Sequence, residues 1–159
     1  MNNNSLKIAL KDSTFEVLEK MFFLTAEFAR INNLNEFFQL PGSKIAAAKI
    51  NFSGSVRGSL FVFLPQTLAL SITADFLGDD PENISKEKII ETVKEILNMI
   101  AGGAFSKYDN SKIFNLDIPE MVNYDGVEKD GSNSGKEILL GVKTIEESLA
   151  LRMDLMAEK

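Results

Sequence analysis

The sequence predicts an α+β domain in which an antiparallel sheet carries helices packed on one side. Three observations point to it. The 159 residues are 45% hydrophobic and include twelve Phe, enough to fill one core. Short stretches rich in Val, Ile and Phe end at Gly and Pro, as strands joined by tight turns do. Helical periods alternate with these stretches, and the order helix-strand-strand occurs twice, over about 13–65 and 85–144. The recurrence is a pseudo-repeat in architecture, not in residues.

Residues 1–12 are polar and are expected to form a flexible N-terminus. Ser13, with Glu16 three residues later, reads as a capping box. Phe15, Val17, Leu18, Met21, Phe22, Thr25, Phe28 and Ala29 then keep a helical period to about Arg30. Asn32, Asn33 and Asn35 break it, and Pro41-Gly42 closes the connection. Residues 44–52 and 59–64 read as a hairpin turning between Gly54 and Gly58. Pro65 cannot donate to a ladder and ends the second strand. Residues 67–77 form a short helix with Leu68, Ile72 and Phe76 on one face, and Gly78 suits its C-terminus.

The acidic stretch 79–83 lacks the alternating oxygen ligands and distal Glu of a calcium loop, so it reads as a solvated turn. Ser85 caps a long helix running to about Lys107. Residues 112–118 read as a strand ending at Pro119, 124–136 as a polar loop, and 137–144 as another strand. Thr144 and Glu147 form a second possible capping box. After it Ile145, Leu149, Met153 and Met156 make an apolar stripe, so 145–159 is expected to be an amphipathic helix lying on its own domain. The expected organisation is a main domain over 13–144 between that helix and the flexible N-terminus.

The chain has no Cys and no His. That excludes cysteine nucleophiles, Cys/His zinc sites, Ser-His-Asp triads and phosphohistidine chemistry. The N-terminus lacks a charged region followed by an apolar core, so no signal peptide is expected. No apolar run reaches the length of a membrane span, and a cytoplasmic location is expected. A net charge of −6 and a pI near 4.8 argue against nucleic acid and anionic membranes as partners and favour a basic protein patch.

The most informative residues are Glu95-Ile-Leu-Asn98-Met-Ile-Ala-Gly102-Gly103-Ala104, late in the long helix. At about 100° per residue, Glu91, Glu95, Asn98 and Gly102 fall within roughly 60° of one another. Ile89, Val93, Ile96, Leu97, Ile100 and Ala104 centre on the opposite side. One face is therefore core, and the other presents a carboxylate, an amide and a bare glycine in a row. Glu and Asn on such a face are most often solvated surface. Asn is a mediocre helix former and Gly costs about 1 kcal/mol relative to Ala, so a merely solvated face would more cheaply carry Lys, Glu or Ala. A loosened helix end at Gly102 and Gly103 is the structural alternative.

Gly54-x-x-x-Gly58-Ser-Leu-Phe-Val-Phe, then Asp75-Phe-Leu-Gly78, then Glu95-Ile-Leu-Asn98-Met-Ile-Ala-Gly102 resembles the CheX branch of the CheC/CheX/FliY chemotaxis phosphatases. The resemblance runs over about 14–144, and its specific part is the long helix. It implies a CheC-like pseudo-repeat of helix-strand-strand units and a protein phosphatase acting on the aspartyl phosphate of a CheY-like receiver. By that resemblance Asn98 orients the attacking water and Glu95 pairs with a lysine of the receiver, with Glu91 and Gly102 on the docking face. Glu91 stands where relatives often have Asp or Ser, and Pro119 near a downstream family proline. The first helix offers Glu27-x-x-Arg30 in place of a second Glu-x-x-Asn, which implies one site per chain. The resemblance also implies a homodimer joined through sheet edges. It implies no metal or cofactor held by this chain, since the magnesium belongs to the phosphorylated partner. A non-catalytic receiver-binding or flagellar-switch adaptor is the rival reading. A metal-dependent hydrolase using Glu91 and Glu95 is the weakest, because no other motif supplies ligands at metal spacing.

Overall fold

Alternation along the strands sorts the sheet into two unequal faces. The computed structural model describes residues 3–130 and 135–156. Its strands are β1 (Ala26–Ala29), β2 (Ile45–Ser53), β3 (Gly58–Pro65), β4 (Asn115–Leu116), β5 (Glu120–Val122), β6 (Gly135–Thr144) and β7 (Ser148–Met156). All pairs are antiparallel, in the order β1-β6-β7-β3-β2-β4, and β5 also pairs with β2. Two hairpins, β2–β3 and β6–β7, thus meet at the centre, where Leu60 lies opposite Met153 and Val62 opposite Leu151.

The helices are α1 (Asn3–Glu16), α2 (Leu34–Phe38), α3 (Gln66–Leu77), α4 (Lys86–Tyr108) and α5 (Tyr124–Asp130). Ala48, Ile50, Leu60, Val62, Leu140, Val142, Leu149, Leu151 and Met153 point to one face, into the main core with α1, α3 and α4. Residues of opposite parity, Ala47, Phe61, Phe63 and Ala150, form a smaller core with Leu34 and Phe38 of α2 and Tyr124 of α5. The expected α+β architecture with the long helices on one face is present, and the two short helices cover part of the other face.

The N-terminus is not a polar tail. Leu6, Ala9, Leu10, Ser13, Thr14, Val17 and Leu18 are all buried at helical spacing, so α1 begins ten residues before the expected cap. Ser13 is inside the helix, not at its start. The two hydroxyls that interrupt the apolar stripe donate to backbone carbonyls, Ser13 Oγ to Ile100 O and Thr14 Oγ1 to Leu10 O, both at 2.7 Å. A buried hydroxyl so paired costs little, which is why these positions did not read as core. The helix gives way to a π turn at Val17–Met21 and then to β1, so Phe28 and Ala29 are strand residues. Residues 1–2 lie outside the described residues.

The C-terminal segment is not a helix. It is β7, the strand between β3 and β6. Leu149 and Met153 satisfy both a helical and an alternating period, but Leu151 and Leu155, also buried, fit only the alternation. The turn explains the false cap. Thr144 Oγ1 accepts from the backbone N–H of Glu146 and Glu147 at 3.2 Å, as a capping threonine does, yet donates to Glu147 O at 2.6 Å within a hairpin turn. Ile145, at 92% exposed, stands at the tip. Residues 157–159 of the expected helix lie outside the described residues.

Smaller differences follow the same logic. The strand expected over 112–118 shrinks to Asn115–Leu116, and Pro119 separates it from β5. The polar loop expected over 124–136 holds α5, and its residues 131–134 lie outside the described residues. The hairpin, the Gly78 end of α3 (φ 65°) and the Ser85 cap, whose hydroxyl accepts from Lys88 N–H at 3.2 Å, are as expected.

The smaller face carries a buried cation. Arg152 is 2% exposed; its Nε and Nη2 donate to the two oxygens of Asp154 at 3.1 Å, and its guanidinium lies 4.6 Å from the centre of the Phe61 ring. Glu137 lies opposite Asp154 in the sheet. Burial pushes both carboxyls above their ordinary range, against the pull of Arg152. Folding therefore takes up protons in the window just above the usual carboxylate range, and stability falls as pH rises through it. Glu137→Gln removes that cost. It should raise Tm at pH 7 and lose the gain near pH 3.5, below the ordinary Glu value of about 4.3, as thermal melts at the two pH values will read.

Candidate functional site

Helix α4 is 23 residues long and buries Thr92, Val93, Ile96, Leu97, Ile100, Ala101, Ala104 and Phe105. This stripe fixes the rotation of the helix against the sheet and α1. Glu91, Glu95, Asn98 and Gly102 are all exposed on the other side. Helical rise sets Asn98 about 4.5 Å along the axis from Glu95, and Gly102 about 6 Å further. The structure thus brings together all four residues singled out in the sequence, as one solvent-facing ridge. A Cβ built on Gly102 meets nothing within 4 Å, so the backbone there is open to approach.

The paired glycines play different parts. Neither loosens a helix end, since α4 continues to Tyr108. A Cβ at Gly103 would run into Ser13 Oγ, the hydroxyl that donates to Ile100 O. Gly103 is what lets α1 approach α4. Lys107 Nζ donates to Glu16 Oε1 at 2.7 Å near the same contact and draws the Glu16 carboxyl below its usual range.

Each end of the ridge has a depression. One, of about 300 Å³, is walled by Phe76, Leu77, Lys88, Glu91, Thr92 and Glu95. The other, of about 210 Å³, lies beside Gly102 and includes Ser106, Asp109 and Lys112 over the stacked rings of Phe105 and Phe114. The exposure of Phe76 and Leu77 was not visible in the sequence, where Phe76 fell on one face with Leu68 and Ile72. Its ring does pack on Phe22, with centres 5.1 Å apart, but 42% of the residue stays exposed. The expected comparison of Glu27-x-x-Arg30 with a second site falls on the wrong element, because Glu27 lies in β1 opposite Lys143. The first helix of the structure, α1, contains no Glu-x-x-Asn. Among the described residues, no group of three or more His, Cys, Asp or Glu could hold a metal ion. Nor, among them, is any helix long and apolar enough to cross a membrane.

The family model of the chemotaxis phosphatase CheX matches residues 46–142, a span that contains all of α4. The chain belongs to the CheX family. A search of curated proteins gave no match. Solved structures share the fold. A CheC-like superfamily protein from Shewanella sp. PV-4 superposes with a TM-score of 0.71 at 23% identity, covering 99% of this chain and 100% of that one. Chemotaxis protein CheX from Vibrio vulnificus gives 0.71 at 20%, with 98% and 99% covered. CheX from Borrelia burgdorferi, solved in a complex with CheY, BeF3 and magnesium, gives 0.69 at 16%, with 94% and 97% covered.

The two glycines should respond oppositely to alanine. Gly102→Ala adds a methyl in open space and should stabilise the fold by up to about 1 kcal/mol. Gly103→Ala forces Ser13 from its buried hydrogen bond and should cost about 1–3 kcal/mol. Urea denaturation of the two variants beside the parent checks both signs.

Proposed function

We propose that this chain accelerates hydrolysis of the aspartyl phosphate on a CheY-like receiver domain, in chemotaxis or a related two-component pathway of the cytoplasm. Membership of the CheX family supports the class, a chemotaxis phosphatase acting on CheY-like partners. The observation that carries the finer reading is the exposed ridge Glu95–Asn98–Gly102 on a helix held rigid by its buried face.

The chemistry asks little of the catalyst. An acyl phosphate is already reactive, so a phosphatase gains most by holding water in line with phosphorus and tolerating charge. The water oxygen forms the new bond to phosphorus, the bond to the carboxylate oxygen breaks, and the water proton ends on the phosphate. Asn98 can accept a hydrogen bond from that water through Oδ1 and donate through Nδ2 to a phosphoryl oxygen. It does so without acting as a base, in the manner of the glutamine of GTPases. Glu95, one turn earlier, would meet a lysine of the receiver and fix the register of docking. The magnesium is the receiver's, where it neutralises phosphoryl charge; no residue of this chain is assigned to it.

The chain would also act as a homodimer joined edge to edge. Strand β1 pairs with β6 only over 141–144, and among the described residues no strand lies outside residues 136–140. Such a row of unpaired backbone groups is a template for a second copy. Light scattering should give twice the chain mass of 17.6 kDa at micromolar concentration; the single-chain mass would refute this.

Two variants test the site. Asn98→Ala should leave Tm unchanged or slightly higher and retain receiver binding. It should slow dephosphorylation by about 10²–10³. Asn98→Asp should fare no better, since it brings negative charge to the phosphoryl group and loses the amide donor. The readout is receiver phosphate lifetime with magnesium, and equal acceleration by all three proteins would make Asn98 ordinary surface.

Glu95→Lys should shift stability by less than about 0.5 kcal/mol, because the residue is exposed. It should nonetheless weaken docking, by setting like charges against each other. Undiminished binding of this variant to the phosphorylated receiver would remove Glu95 from the interface.

A further inference from the structure

We propose that Phe76 and Leu77, at the end of α3, form an apolar shelf that anchors the receiver beside the polar ridge and sets how tightly it docks. The inference rests on the receiver-phosphatase reading above and adds to it a part of the surface outside α4.

The fold does not account for the shelf. Phe76 and Leu77 are 42% and 44% exposed, side by side where Gly78, at φ 65°, ends the helix. The Phe76 ring is held from behind by Phe22, so it offers a fixed face rather than a mobile side chain. The chain next to Phe22 is itself unusual. It leaves a π turn at Val17–Met21 and passes through Phe23, which holds a left-handed φ of 55° while 85% exposed. A bulky residue in that conformation is strained, and here its side chain repays nothing by burial.

Continuity with the ridge decides what the shelf would meet. Phe76 and Leu77 share one depression with Glu91 and Glu95, so a partner lying along the ridge also lies on the shelf. The depression, of about 300 Å³, has room for one or two side chains. Its rim carries two carboxylates against one ammonium, that of Lys88. The matching surface is an apolar side chain next to a basic one, on the receiver face that receives Glu95. The apolar contact supplies affinity and the charges supply register. Nothing on the shelf can take part in the chemistry, so its effect falls on binding and not on turnover.

Leu77→Ser and Phe76→Ser test this, with Ile118→Ser, 88% exposed between β4 and β5 at the edge of the sheet opposite β1, as an equally simple loss of exposed apolar surface. Titration with a CheY receiver activated by beryllofluoride and magnesium should show each shelf variant binding about 10- to 100-fold more weakly, with Ile118→Ser unchanged. At saturating phosphorylated receiver the kcat of the shelf variants should stay within about twofold of the parent while KM rises. Should Phe76→Ser lose structure through its contact with Phe22, Leu77→Ser, which leaves that ring pair in place, decides the matter alone. Parent-like binding by Leu77→Ser overturns the proposal while the phosphatase reading stands. Parent-like binding together with dissociation of a dimer would give the shelf to a second copy and equally overturn it. A parent protein that neither binds nor dephosphorylates the receiver would end the phosphatase reading itself, and the shelf with it.

Discussion

The contact on which the site depends is the crossing of α1 and α4, where a buried serine meets a bare glycine. Ser13 donates its hydroxyl to Ile100 O, and the missing side chain of Gly103 makes room for it. The bond is directional, so it fixes how far α4 is rotated as well as how close it lies. Apolar packing alone would tolerate a modest turn of the helix about its axis. With the rotation fixed, Glu95 and Asn98 face outward, and Gly102, one residue before the contact, is left open on the far side. Two adjacent glycines thus serve different faces of one helix.

The candidate site was legible in the sequence because it depends on a single helix. Glu91, Glu95, Asn98 and Gly102 lie within twelve residues, and the period of the helix is enough to place them on one face. What was missed lies off that helix. Phe76 belongs to α3, and its ring packs on Phe22 from a third segment. No periodicity within either segment encodes a relation between them.

The fold divides in the same way. The β2–β3 hairpin, the caps at Ser85 and Gly78 and the extent of α4 are local and could be read. The two ends of the chain could not. In α1 the core stripe runs through Ser13 and Thr14, whose polarity mimics a boundary until their carbonyl partners are known. In β7 the apolar residues fit two periods, and the choice between them is made by β3 and β6, which flank the strand. Thr144 shows the limit of motif reading most plainly, because its capping hydrogen bonds form and no helix follows.

The central place of β7 also governs when the protein can become a protein. Leu60 must wait for Met153, and Val62 for Leu151, before β3 has a partner on its inner edge. Until then a ribosome-bound chain holds the β2–β3 hairpin with one side of Leu60, Phe61, Val62 and Phe63 unshielded. Contacts so distant along the chain slow folding, since the loop between them must be closed before they contribute. Loss of β7 by a premature stop would not shorten the sheet but split it, leaving the β2–β3 hairpin and the β1–β6 pair with raw inner edges. Such a fragment would present itself to chaperones and proteases, or to its own kind, as a strand in search of a neighbour.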